Sequence, residues 1–212
     1  MNIAAISRAF GFVAALSLAT FAQAAPVMTA DFEGDLSAWT ERNPASPTGL
    51  IVVDPLASGH GQVLTFQRVG SNGTLFSSEL VTSNSGKFLL TFDYLGLLGQ
   101  TGTPDDLGGY IGVVNGINGS GVWVGGTGTY PTKLDLLDDG MWHSYTYAFK
   151  SEWGNTLRVM VEDWDGSGRT AGDAFFDNIS LQAVPEPTSL ALVSLALVGV
   201  AASAQRRKQQ GA

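Results

Sequence analysis

Lys87 to Leu95 sets Phe88, Leu90, Phe92 and Tyr94 against Leu89, Thr91 and Asp93. Side chains that alternate with period two point to opposite faces of a strand, so one face is buried and the other meets water or a second layer. The same period recurs. Trp142 to Phe149 sets His143, Tyr145, Tyr147 and Phe149 against Trp142, Ser144, Thr146 and Ala148. Leu157, Val159 and Val161 alternate with Arg158, Met160 and Glu162. Leu50 to Val53, Val63 to Val69, Thr74 to Leu80, Tyr110 to Asn115, Gly121 to Val124 and Ala174 to Leu181 predict shorter strands. Asn84-Ser85-Gly86, Asn118-Gly119 and Asp138-Asp139-Gly140 supply the tight turns between them. About nine strands at such spacing predict an all-β fold, an antiparallel β-sandwich. The glycine-rich stretch Gly96 to Gly109 predicts an irregular loop over one end.

Both ends of the chain differ from this region. Arg8 is the only charged side chain before a mostly apolar run, Ala9 to Phe21, and Ala22-Gln23-Ala24 is a small-x-small cleavage site. Residues 1–24 therefore read as a helical secretory signal peptide. At the other end Val184-Pro185-Glu186-Pro187 precedes the apolar run Thr188 to Ala204 and the basic cluster Arg206-Arg207-Lys208. As a helix the apolar run would be about 26 Å long, at the short end of what spans a bilayer. Three cations directly after it would stay on the cytoplasmic side, which places everything before Pro185 across the membrane. Residues 25–183 are then the exported body, long enough for one domain with its own core.

Composition narrows what that body does. Leaving out Arg8, Glu186, Arg206, Arg207 and Lys208, it carries 18 acids against 7 bases, a net charge of −11. Nucleic acid is a poor partner for such a surface, because phosphate contacts need cations. The chain has no cysteine, which excludes disulfides and thiolate chemistry, and its two histidines, His60 and His143, are too few for a His-rich metal site. There is no Gly-x-Ser-x-Gly, His-Glu-x-x-His or phosphate-binding loop, and Glu162-Asp163-Trp164-Asp165 lacks the Glu-x-Asp-x-x-Glu row of some sandwich glycosidases. A non-enzyme is expected. A glycoside hydrolase would need two distant carboxylates brought across a cleft.

Pro185-Glu186-Pro187, the apolar run and Arg206-Arg207-Lys208 resemble the PEP-CTERM sorting signal of diderm bacteria that make exopolysaccharide. The resemblance implies an exosortase, a membrane cysteine protease, as a partner alongside the secretion machinery. It also implies a transient stay in the inner membrane and delivery to the cell surface or extracellular matrix. Two further stretches carry a second resemblance: Asp31-Phe32-Glu33-Gly34-Asp35-Leu36-Ser37-Ala38-Trp39 and Asp173-Ala174-Phe175-Phe176-Asp177-Asn178-Ile179-Ser180-Leu181. They look like the two ends of jelly-roll modules, among them carbohydrate-binding modules and galactose-binding-like domains. The implied fold is jelly-roll-like, and related modules often hold a structural Ca²⁺ where first and last strands meet.

Strict alternation in the closing strand places Phe175, Asp177, Ile179 and Leu181 on one face, and an ionised carboxylate in an apolar stripe needs a partner. Adjacent first and last strands would bring Asp31 or Glu33 near Asp177, a set of oxygens suited to calcium. The alternative is a strand bulge with the Asp177 side chain bonded to backbone or solvent. Asp163, Asp165 and Asp173 form a second acidic knot. It matches an EF-hand loop at its first, third and sixth positions only, so it reads as a hairpin loop or a contributor of oxygens to the same calcium. Trp39 and Trp142 sit in strands and are expected in the core. Trp123, Trp153 and Trp164 lie beside polar or glycine-rich loops and are the candidates for stacking on exopolysaccharide. A structural or adhesive matrix protein without a sugar site is the other reading.

Overall fold

In a computed structural model, residues 28–68, 74–98, 108–116, 121–128, 130–164 and 172–184 are described. Thirteen strands cover them: β1 (Met28–Ala30), β2 (Trp39–Glu41), β3 (Gly49–Val53), β4 (Gln62–Phe66), β5 (Leu75–Ser77), β6 (Val81–Thr82) and β7 (Lys87–Gly96) come first. β8 (Gly108–Val114), β9 (Gly121–Gly126), β10 (Leu134–Asp135), β11 (Trp142–Lys150), β12 (Thr156–Trp164) and β13 (Ala174–Ala183) follow. All nine strands predicted from alternation and composition are present. β1, β2, β6 and β10 are additional, each of two or three residues. Gly86 and Gly140, in two of the expected turns, have φ of 66° and 77°, where a β-carbon would be strained.

The strands form two sheets. The first runs β11-β7-β13-β4-β3 with β1 also paired to β13, and the second runs β10-β9-β8-β12-β5-β2 with β6 also paired to β12. Every pair is antiparallel except the short parallel contact of β10 with β9. The inner face of β7, which is Phe88, Leu90, Phe92 and Tyr94, packs with Leu64, Phe66, Phe176, Ile179 and Leu181 of the same sheet. From the other sheet come Leu75, Ile111, Val113, Val124, Leu157, Val159 and Val161. Each such side chain contributes roughly 1.5–3 kcal/mol on burial, so this layer is the main source of stability. The arrangement is the expected antiparallel sandwich. The second sheet closes tightly on the core because Gly109 has no side chain. A β-carbon there would lie 2.6 Å from Cε2 of Tyr94 and 2.7 Å from Cζ of Phe176.

Among the described residues there is no helix long and apolar enough to cross a membrane. The expected signal helix, residues 1–24, and the sorting signal from Pro185 onward lie outside the described residues, as do 99–107 of the glycine-rich loop.

Strict alternation does not hold in β13. The register against β7 shifts between Asp177 and Ser180, and Asn178 has φ of 49°. This β-bulge turns Asp177 to the outer face opposite Asp93, while Ile179 and Leu181 face the core. The bulge lies where β13 changes neighbour: Phe176 pairs with Leu64 of β4, but Ile179 pairs with Ala30 of β1.

Candidate functional site

The first and last strands do lie side by side, yet Asp31, Glu33 and Asp177 form no cluster. Asp31 lines a hollow of about 200 Å³ with Thr29, Ala30, Asn178, Ile179 and Ser180, and is the one carboxylate there. Its Oδ1 accepts the Glu33 N–H at 3.3 Å, and Glu33 Oε1 accepts the Gln62 N–H at 3.0 Å. Asp177 is engaged elsewhere: Oδ2 lies 2.8 Å from His60 Nδ1, and Oδ1 accepts the Asn178 N–H at 2.7 Å. Calcium takes six to eight oxygens. Among the described residues no group of three or more His, Cys, Asp or Glu side chains is arranged to hold a metal ion. In the second acidic knot Asp163 is buried with Oδ2 accepting the Gly172 N–H at 2.9 Å, Asp173 is half-buried, and Asp165 lies outside the described residues.

What Asp177 belongs to is a clamp on the outer face of the first sheet. Asp93 stands directly opposite it, and Asn178 Nδ2 donates to both carboxylates, at 2.8 and 3.2 Å. Ser144 Oγ donates to the other oxygen of Asp93. Burial pushes the Asp177 carboxyl above the ordinary range, Asp93 adds to that, and the His60 and Asn178 hydrogen bonds only partly oppose it. The His60 ring stacks on Trp142, centroids 4.0 Å apart, and the Trp142 indole N–H donates to Asp54 at 3.1 Å. The loop joining β3 to β4 thus folds across the sheet to its far edge. It covers an apolar cluster of Val63, Leu95 and Phe175, with Val52, Leu97 and Trp142 against it. These polar groups bond one another, and the cluster works as a fastening. His60, Asp54 and Asp93 carried no sequence signal for this, because their partners lie far away in the chain.

The tryptophans divide differently from the sequence expectation. Trp39 is in the main core, stacked on Phe32. Trp142 is half-buried on the outer face. Trp123 is buried beneath Tyr110 and lies over Gly112, which has no side chain to displace it. Trp164 is half-buried with its ring perpendicular to that of Tyr110, centroids 5.9 Å apart. Trp123 is too deeply buried to offer a ring face to a ligand.

Trp153 does meet an opening. β11 is the edge of one sheet and β10 the edge of the other, and the sandwich is parted between them. There Tyr147, Phe149, Lys150, Glu152 and Trp153, with Val122 and Lys133 opposite, line a cleft of about 340 Å³. That is at the lower end of the roughly 300–1,000 Å³ typical of ligand sites. Tyr147 and Phe149, two residues apart on an edge strand, present near-parallel rings with centroids 5.8 Å apart. Phe149 is backed by Phe88 at 5.7 Å, which fixes its plane. Trp153 is held by its backbone: its carbonyl accepts Asn115 Nδ2 at 2.9 Å and its N–H donates to Ser151 Oγ at 3.1 Å. All three rings are half-buried, and Lys133, Lys150 and Glu152 are exposed at the rim. Flat apolar rings with a few polar groups around them suit the C–H faces and hydroxyls of a pyranose.

Residues 183–208 match the PEP-CTERM protein-sorting motif. No curated protein matches the chain. Among solved structures it is similar to the xylan-binding family 22 carbohydrate-binding module of Paenibacillus barcinonensis: 17% identity, 77% of this chain and 97% of that one covered, TM-score 0.49. It is similar also to the K3 adhesin domain of Lys-gingipain from Porphyromonas gingivalis, with 14% identity, 75% and 100% covered, and TM-score 0.43. A third is the family 11 carbohydrate-binding module of a Clostridium thermocellum cellulase, with 14% identity, 78% and 98% covered, and TM-score 0.43. The chain therefore ends in a PEP-CTERM sorting motif, behind a β-sandwich body whose structural neighbours include carbohydrate-binding modules.

Proposed function

We propose that this is an exported, surface-sorted and non-catalytic polysaccharide-binding protein of the cell envelope or exopolysaccharide matrix. Residues 1–24 direct secretion, residues 25–183 form the functional sandwich, and residues 184–208 hold the chain in the inner membrane for an exosortase. Support for sorting comes from the tail motif. Support for polysaccharide binding comes from one observation, the convergence of Tyr147, Phe149 and Trp153 in an open cleft with Lys133, Lys150 and Glu152. Rings held in place before the ligand arrives lose little entropy on binding.

The test is affinity electrophoresis and calorimetry against the producer's own polysaccharide. Wild-type protein is retained, and Trp153→Ala or Tyr147→Ala weakens binding at least about tenfold, or about 1.4 kcal/mol. Unchanged melting curves in both variants would assign the loss to the cleft. Retention of wild type and variants alike would move the site elsewhere. No retention on any glycan would leave the structural or adhesive matrix role as the better reading.

A further inference from the structure

Between residues 25 and 183 the chain has only three lysines, Lys87, Lys133 and Lys150. All three come to one end of the molecule. Lys150, the last residue of β11, is directly opposite Lys87, the first residue of β7, and Lys133 and Lys150 both line the aromatic cleft. Facing like charges on neighbouring strands are destabilising. With 18 acids in the body, carboxylates to neutralise the pair are plentiful. Among the described residues no ion pair joins a carboxylate to any of the three lysines, and the carboxylate that shares the cleft with Lys133 and Lys150 is Glu152. The three lysines are exposed. A strongly acidic body thus keeps its three lysines together beside the surface best shaped for a sugar ring, with Glu152 on the same rim.

Resting on the reading that the cleft binds polysaccharide, we infer that its ligand is an anionic polysaccharide, a polymer of pyranose rings bearing carboxylate or sulfate groups. A ring lies against Tyr147, Phe149 and Trp153 while an acidic substituent meets Lys133 or Lys150, and Lys87 adds to the local positive potential. At physiological salt charges are screened over about 8 Å. The negative charge elsewhere on the body is therefore weakly felt at the cleft, where Lys133 and Lys150 outnumber Glu152.

The experiment uses the full-length chain in detergent, with binding to polygalacturonate, its methyl ester, dextran sulfate and dextran measured by calorimetry. The methyl ester keeps the rings and removes the charge, and the dextran pair separates sulfate from carboxylate. The expected result is a preference of at least about tenfold for an acidic polymer over its neutral counterpart. That preference falls as sodium chloride rises from about 50 to about 300 mM. It is lost in the Lys133→Gln/Lys150→Gln double variant, whose melting temperature is at or slightly above that of wild type because both side chains are exposed and the Lys87–Lys150 repulsion is relieved. Equal affinity for charged and neutral polymers would overturn the inference and leave polysaccharide binding standing. A preference that survives in the double variant would also overturn it, by placing anion recognition elsewhere. Failure to bind any of the four polymers or the producer's own polysaccharide would sink both readings.

Discussion

Asp54 accepts hydrogen bonds from the Leu56 N–H, the Ser58 N–H, the Ser58 hydroxyl and the Trp142 indole N–H, and only 5% of the residue is exposed. Burial alone would raise its pKa. The four donors outweigh burial and hold the carboxyl well below its ordinary 3.8. Hydrogen bonds to a charged acceptor are worth about 1.5–3 kcal/mol each at most, and truncation strands several donors at once. Asp54→Ala is expected to cost about 2–4 kcal/mol in urea unfolding, more than any exposed substitution on β3. The pH dependence has a definite sign. A carboxyl lowered in the folded state stabilises above its unfolded pKa, and that contribution drains away as pH falls below about 3.8. Asp177 works in the opposite sense: raised by burial, its ionisation withdraws stability as pH rises from 3.8 through its folded pKa. Asp54→Asn should therefore flatten the loss of stability in acid, and Asp177→Asn should flatten the decline on the other side of 3.8. Identical pH profiles for the two variants would refute this division.

At the scale of elements, the sandwich depends on β13, which touches β7 along one side and β4 then β1 along the other. A straight strand would have to meet both of the latter in one register, and the extra residue at the bulge removes that requirement. Asn178 is a suitable residue because its short amide tolerates positive φ and its Nδ2 holds Asp93 and Asp177 together. Asn178→Val puts a β-branched side chain at φ of 49° and should cost about 2–3 kcal/mol, whereas Asn178→Gly should lose about 1 kcal/mol, mostly the amide's bonds. Equal urea midpoints for the two would show that the backbone there is not under that constraint. The same strand shows what the sequence could and could not disclose. Alternation over five or more residues located β7, β11 and β12 almost to the residue, because one buried face imposes it. It could not register β1, β2, β6 or β10, which are too short to repeat a pattern. A one-residue bulge reverses every later side chain, and so Asp177 was grouped with Ile179 and Leu181. Trp153 stood out as an aromatic in a polar loop, and Tyr147 and Phe149 as one face of a strand. Lys133 joins them only because the open edges of two sheets meet, and His60 meets Trp142 only because a loop crosses a sheet; neither fact is local.

For the molecule as a whole, the proposed function gives the ends and the body separate tasks. Residues 183–208 match the tail motif, while the polar and aromatic groups of the cleft lie between Val122 and Trp153. In β13 the last paired residue is Ala183, and Val184 still donates its N–H to the Lys87 carbonyl at 2.9 Å. The described strands therefore end where the sorting motif begins, and a cut after Val184 leaves all thirteen of them in place. Charge makes the order of events testable. In the proposed topology Arg206, Arg207 and Lys208 hold the cytoplasmic side because they are cationic, and a charge in the hydrocarbon core costs about 2.5–3.5 kcal/mol even by insertion scales. Arg206→Gln/Arg207→Gln/Lys208→Gln should leave the sandwich and its glycan affinity intact in the purified protein. In the native host the same variant should fail to be retained for cutting. Mass spectrometry of surface and membrane fractions would read the difference: wild type ends near the Pro185-Glu186-Pro187 motif at the surface, and the variant keeps its full C-terminus. A variant matured as wild type is would show that the three cations are not what stops the chain. A wild-type protein with an intact tail at the surface would separate sorting from cleavage.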